Sequence, residues 1–414
     1  MRKGKLSIGP TAVWGMIAVI LSAMSTATSA QETILYNFSG GTDGSTALST
    51  LISDASGNLY GTTEFGGAST FGTVFELSPQ VGGGWTQTVL HSFTASDGSN
   101  PWAAVIFDAA GNLYGTTRSG GMHGFGTVFK LSPQAGGGWT QTVLHNFNAT
   151  GTDGQNPIGG VILDSAGNLY GTTQLGGAYG KGTAFELLPQ PGGGYREKVL
   201  HSFGNGTDGQ LPIASLIFDA AGNLYGTTAA GGTNGGGTVF ELSPQSGGGW
   251  RETRLANFSA AGSNPNGPNG AMVFDLAGNL YTTTYFGGFF SGGAVVELSP
   301  KAGGGYTAKV IHSFGGTNDG LNPYAGLTLD SSGNLYGTTQ GGFSPSGRSQ
   351  GEVFELSPKA GGGFSETVLY RFSTSGSDGG VPYGGVILDA AGNLYGTTSS
   401  GGSFIHGTVY QIAH

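Results

Sequence analysis

Glu64, Arg118, His123 and His406 have the side-chain types that proton transfer and anion binding require: a carboxylate and two imidazoles to exchange protons, and a guanidinium to clamp a negative group. They lie in glycine-rich loops of three units of a repeat, two of them at equivalent places, Glu64 in the first unit and Arg118 in the second. If the first, second and last units are neighbours, these four side chains can converge on one hydrolase- or lyase-type site. The competing reading is that polar residues on surface loops are simply solvated. Neither a phosphate-cradling loop nor a nucleophile motif is present to narrow the reaction further.

A second set is aromatic. Trp102, Tyr324 and Tyr383, with Ile158 and Ile213, each follow a proline in the segment that leads into a unit. If the strand that follows is innermost, they rim a central channel. Tyr285, Phe286, Phe289 and Phe290 in one loop, and Phe343 in the Phe343 to Arg348 loop of the next unit, suit a sugar or peptide surface, because rings stack on apolar faces of such ligands. Local packing over the edges of the strands is the alternative.

Other polar residues recur too regularly to mark one site. His91, His145, His201 and His312 share one strand position, replaced by Tyr36, Ala256 and Tyr370 elsewhere, and are expected to be structural rather than to meet on one metal. Asp54, Asp108, Asp164, Asp219, Asp275, Asp330 and Asp389 form a complete set with one carboxylate per turn, too few oxygens for a calcium loop. The Asp-Gly pairs that begin at Asp43, Asp97, Asp153, Asp208, Asp319 and Asp378 read as turn formers, with a shallow calcium site as the sharper alternative. The recurrent Glu76, Glu186, Glu241, Glu297 and Glu355 offer one carboxylate per unit, not the close pair that glycoside hydrolysis needs. No metal and no cofactor are expected.

The elements that must position these residues come from the repeat itself. Gly-Asn-Leu-Tyr recurs with its asparagine at Asn58, Asn112, Asn168, Asn223, Asn279, Asn334 and Asn393, about 55 residues apart, a period that marks an array of supersecondary units. The third unit lays out four short β-like segments, 161–164, 168–173, 182–187 and 197–203, rich in β-branched and aromatic residues. Asp164 to Asn168 has the chemistry of a tight turn, and Pro189 to Tyr195 is a second one. Four antiparallel strands in each of seven units predict an all-β fold, a seven-bladed β-propeller. Residues 33–38 align with the fourth strand of a unit, whereas the chain stops after a third strand at 407–412. The N-terminal strand is therefore expected to complete the last blade and close the ring. Loops between strands two and three, and between one blade and the next, vary most and should share the functional face.

Stretches such as Asp108 to Thr117 followed by Gly126 to Pro133 resemble the GloVer tandem repeat of the choice-of-anchor bacterial surface proteins, over essentially the whole chain after the leader. The resemblance implies export and a repeat β-structure, and it implies no activity. Family members carry varied C-terminal anchors, and no sorting tail is read after Gly407 to His414.

Composition bounds the rest. The basic start Met1 to Lys5, an apolar run from Ala12 to Met24 and small residues up to Ala30 form a signal-peptide pattern, leaving residues 31–414 as a single domain. Losing Arg2, Lys3 and Lys5 makes the remainder more acidic than the whole-chain charge of −9, which argues against a nucleic-acid partner. There are no cysteines, hence no disulfide framework, and no membrane span is expected in the mature chain. The sequence thus points to a secreted, monomeric binding module, periplasmic or extracellular, for a glycan or protein ligand. A polar enzymatic site at the junction of units seven, one and two is the alternative.

Overall fold

The computed structural model describes residues 31–344, 347–374 and 377–414; the leader predicted at 1–30 lies outside them. Among the described residues there is no helix. The strands of the first sheet are Ile52–Ser53, Leu59–Thr63, Thr73–Pro79 and Trp85–Ser92, paired in that order and antiparallel throughout. The same order recurs six more times, and the strands of the third sheet, Ile162–Leu163, Leu169–Thr173, Thr183–Pro189 and Tyr195–Ser202, match the four expected segments within about two residues.

The turn between the first two strands explains the repeated motif. Asp54 Oδ1 accepts the backbone N–H of Ser56 and of Asn58, while Oδ2 accepts the Asn58 side-chain amide at 2.8 Å and the Tyr60 hydroxyl at 3.1 Å. Gly57 takes φ +82°, which a residue with a Cβ adopts only at a cost. Aspartate, glycine, asparagine and tyrosine thus form one local hydrogen-bonded loop, repeated around Asp108, Asp219 and their equivalents. Burial works against the Asp54 charge, but these donors outweigh it and hold the carboxyl below its usual range. Both of its oxygens are occupied by donors of its own turn.

After the tyrosine the second strand reads Gly-Thr-Thr in six of the seven units. The glycine leaves room for the phenylalanine opposite it: a Cβ on Gly61 would stand 2.7 Å from Phe75 Cζ. The first threonine reaches into the next sheet, as Thr62 Oγ1 donates to Ala103 O and Thr116 Oγ1 to Gly159 O. The fifth sheet solves the same space differently, with Thr282 opposite the smaller Val296. Thr282 Oγ1 takes the Gly270 carbonyl, and Thr227 Oγ1 in the fourth sheet is left buried without a partner.

Burial is organised between sheets. One cluster joins Val74, Leu90 and Phe93 to Leu113, Phe129 and Leu131 of the second sheet, and each following pair of sheets shares a similar one. The seventh joins Phe38 and Val409 to Leu51, Leu59 and Phe75 of the first sheet. Thr397 Oγ1 donates to Ser49 O, and Gly385 N to Thr50 Oγ1, so the last sheet meets the first as the others meet their successors. The strand Glu32–Asn37 pairs antiparallel with Thr408–Ile412, the third strand of that last sheet, as the incomplete ends of the chain predict.

Between sheets the lead-in segment folds against the loop after the second strand, as in the short ladder of Gly154-Gln155 with Leu175-Gly176. These small ladders are absent from the sequence reading. They bring the two variable loop sets together on one face.

Candidate functional site at the shared cavity

The residue after each lead-in proline, and Leu48 at the same position of the first unit, points to one place. Leu48, Trp102, Ile158 and Ile213 from the first four sheets and Asn269, Tyr324 and Tyr383 from the last three line a single cavity of about 130 Å³. Backbone from the same segments, at Ser49, Ala103, Gly159, Ala214 and Ala325, accepts the inter-sheet threonine bonds just described, which fixes the height at which each side chain enters.

The residues that end the second strands stand beside this ring. The Arg118 guanidinium lies 4.7 Å over the Trp102 ring, and the Glu64 carboxyl is close enough to feel both. Burial raises the Glu64 carboxyl above its ordinary range, with the Trp102 indole N–H and Arg118 opposing the shift. Tyr285 packs edge-on to Tyr324 at 6.0 Å, Tyr324 to Tyr383 at 5.4 Å, and the Tyr285 hydroxyl donates to Gln340 Oε1 at 3.1 Å. Burial, then the neighbouring Tyr383, pushes the Tyr324 hydroxyl up to about 12 against the pull of Arg118. Trp102, Glu64 and Arg118 on one side and three tyrosines with Gln340 on the other thus share one mouth.

Three buried polar atoms there have no hydrogen-bond partner within the chain, Arg118 Nε, Gln340 Nε2 and Asn269 Oδ1, and the Trp102 indole N–H faces only the Glu64 carboxyl. A buried unpaired polar atom costs about 1–3 kcal/mol. Trp102 and Asn269 line the cavity itself, while Arg118 lies over the Trp102 ring and Gln340 on the Tyr285 hydroxyl beside it.

His123, His406 and the four predicted phenylalanines do not line this cavity. His123 is exposed, and Met122 beside it is tied through its N–H to Asn146 at the end of an outer strand. The His406 ring packs against Gly40, and its carbonyl accepts from Thr46 N. Glu64 and Arg118 come together beside Trp102, and His406 is linked to Glu64 through the backbone of Thr46, whose N–H donates to the His406 carbonyl and whose carbonyl accepts from Glu64 N. The aromatic set divides likewise. Tyr285 belongs to the mouth, whereas Phe286, Phe289 and Phe290 are 53, 78 and 52% exposed and Phe343 is 37% exposed. Asn269 and Gln340 are absent from the sequence reading; their repeat positions, shared with Trp102 and Glu64, were the available signal.

Residues 18–216, 136–307 and 248–414 match the Gloeobacter/Verrucomicrobia repeat in three overlapping stretches. The chain belongs to this repeat family. No curated protein matches it. Among solved structures, two crystal structures of the extracellular domain of a "putative hybrid" or "one component" system from B. thetaiotaomicron resemble this repeat protein, with 12 and 14% identity and TM-scores of 0.54 and 0.56. They cover 92 and 93% of this chain, which spans 39 and 42% of theirs. A "putative 6-phosphogluconolactonase" from Bacteroides uniformis is similar at 13% identity and TM-score 0.52, over 77% of this chain and 83% of its own. At such identities the likeness concerns the fold, all-β and built of small antiparallel sheets. Among the described residues no helix is long and apolar enough to cross a membrane.

Proposed function

We propose that the seven sheets are the blades of one β-propeller, exported through the leader at residues 1–30, and that it acts as an extracellular binding module taking the end of a glycan at the channel mouth. The observation that carries this reading is the cavity lined by Trp102, Asn269, Tyr324 and Tyr383, with Arg118 over the Trp102 ring and Gln340 bonded to Tyr285 beside it. Planar amide, guanidinium and indole donors suit paired sugar hydroxyls, and tyrosine or tryptophan rings suit the C–H faces of the same rings. A cavity of about 130 Å³ takes a terminal group rather than a length of chain. The extracellular domains among the fold neighbours are in keeping with export. Catalysis is the weaker reading, since Glu64 and Arg118 supply a carboxyl and a clamp with no nucleophile motif in the sequence to accompany them.

The test is retention on a glycan array by the tag-free protein. Wild type binds a subset of glycans, Arg118→Ala and Trp102→Ala lose at least tenfold in affinity, and Phe289→Ala retains it. If Phe289→Ala loses binding while the two mouth variants keep it, the ligand sits on the outer aromatic patch and the mouth assignment is wrong.

A further inference from the structure

The recurrent histidines each meet an aspartate and a residue of the next sheet. His312, on the fourth strand of the fifth sheet, Tyr306–Ser313, faces Asp319 in the loop to the sixth sheet and Glu366 on that sheet's fourth strand, Phe364–Arg371. His145 meets Asp153 and Glu197, and His201 meets Asp208 and Glu252, in the same way. Where the fourth sheet has Ala256, the loop lacks its aspartate and the next sheet has Ala308, so the set is lost as a unit.

The spacing differs from seam to seam. His201 and Asp208 stand 2.7 Å apart and His91 and Asp97 3.1 Å apart, which are direct hydrogen bonds. His312 Nε2 stands 3.5 Å from both Asp319 Oδ1 and Glu366 Oε1, and the three atoms lie within 4.8 Å of one another. Bonds of about 2.0–2.2 Å from a tetrahedral zinc to nitrogen and oxygen ligands put those ligands roughly 3.4 Å apart. His312 Nε2 and Glu366 Oε1 are buried and make no hydrogen bond.

A second observation points into the same seam. Glu352, the first residue of the third strand of the sixth sheet, Glu352–Pro358, is fully buried, and neither of its oxygens has a hydrogen-bond partner. It stands where five of the other six units have threonine and packs against the residue after Asp319, since a Cβ on Gly320 would lie 2.5 Å from its Oε1. Arg371 Nε, 3.3 Å from Glu352 Oε2, is one cation against three carboxylates. A buried cluster with that balance favours a bound divalent cation.

We propose that His312, Asp319 and Glu366 bind a zinc-class divalent ion that clips the fifth and sixth sheets together, with Glu352 supplying further negative charge beside it. One imidazole and two carboxylates fill three tetrahedral positions, with a water in the fourth. The ion ties strands more than 50 residues apart in sequence and therefore stabilises the closed arrangement over the open one.

The experiment uses tag-free protein dialysed against a chelator and titrated with Zn²⁺ alone, by calorimetry and by thermal unfolding. The expected result is at least one ion per chain at micromolar or better affinity and a rise in Tm of several degrees. Glu366→Gln keeps the shape of the side chain and should lower that stoichiometry by one; His312→Ala should do the same. A second ion that survives these variants and is lost in His145→Ala places a copy of the site at His145, Asp153 and Glu197. Absence of saturable Zn²⁺ uptake by the wild type overturns the proposal, whatever the variants do. So does uptake unchanged in both Glu366→Gln and His312→Ala. Glycan retention does not enter this readout, so its failure and that of the mouth reading are separable.

Discussion

The exchange of glycine and phenylalanine for threonine and valine in the fifth sheet predicts a compensating pair that can be built elsewhere. In the third sheet Gly171 faces Phe185, and a Cβ on Gly171 would lie 2.7 Å from Phe185 Cζ and 3.3 Å from Val161 Cγ1. Gly171→Thr alone therefore overpacks a fully buried site, at about 1–3 kcal/mol. Phe185→Val alone removes most of a ring that packs edge-on against Phe147 and leaves a cavity, at about 2–3 kcal/mol. Together they recreate the Thr282 and Val296 arrangement, in which the threonine methyl occupies space that the ring vacates. One loss persists: the new hydroxyl takes the Gly159 carbonyl from Thr116, as Thr282 takes that of Gly270, and the orphaned Thr116 hydroxyl costs about 1 kcal/mol. The double variant should then be about 1–2 kcal/mol less stable than wild type, a favourable coupling of roughly 2 kcal/mol or more. Urea midpoints at unchanged m-value for the wild type and three variants give that coupling. A double variant as destabilised as the sum of the singles would refute the idea that these positions share one volume.

Three further outcomes follow from the same geometry. Burial first, then the Asp378 charge, pushes the Glu32 carboxyl from 4.5 up to about 8. Its folded-state value is raised, so its share of stability is complete below about pH 4.5 and is lost as pH rises through about 8; a Tm profile from about pH 5 to 9 should fall for wild type and flatten for Glu32→Gln. Deleting residues 31–37 removes the partner of Thr408–Ile412 and exposes the buried Tyr410, so the truncated chain should unfold at lower urea and recover when the synthetic strand is added, as measured by fluorescence. Asn168→Ala removes the 2.8 Å bond to Asp164 and should cost about 1 kcal/mol, whereas Asp164→Ala, which strips the turn of four acceptor contacts, should cost about 2–3 kcal/mol in urea unfolding.

What the sequence made legible is what is local or what its ends leave incomplete. Asp164 and its donors fall within six residues, so the turn could be read directly, although the tyrosine hydroxyl as its last donor could not. Pairing of Glu32–Asn37 with the last sheet followed from a fourth strand without a unit and a unit without a fourth strand. The rim at Trp102, Tyr324 and Tyr383 was legible because each follows a proline at one repeat position, yet Asn269, at the same position, is neither aromatic nor apolar and gave no such signal. The order of the units says which loops are neighbours, and so made Glu64 and Arg118 legible as a pair, but it carries no information on where the His123 and His406 rings point. The seams were hidden for another reason: Glu366 lies 54 residues from His312, in a different unit. Their joint loss at Ala256 and Ala308 was the readable trace, visible only when positions in successive units are compared as pairs.

The mouth and the seam use the repeat in opposite ways, and this decides how many ligands each can hold. The mouth draws one side chain from every sheet into one cavity, so the seven copies of a position are free to differ, and they do, from Leu48 through Trp102 and Asn269 to Tyr383. Such a site is asymmetric by construction and exists once per chain. A seam draws on two adjacent sheets only, so whatever chemistry suits one junction can be repeated at the others, limited by the pairs that keep their histidine and glutamate. Binding stoichiometry therefore separates the two without any variant: a mouth ligand saturates at one per chain, whereas an ion held by His312, Asp319 and Glu366 can be joined by another at His145, Asp153 and Glu197. Two glycans per chain would place the sugar on repeated surface and not in the shared cavity.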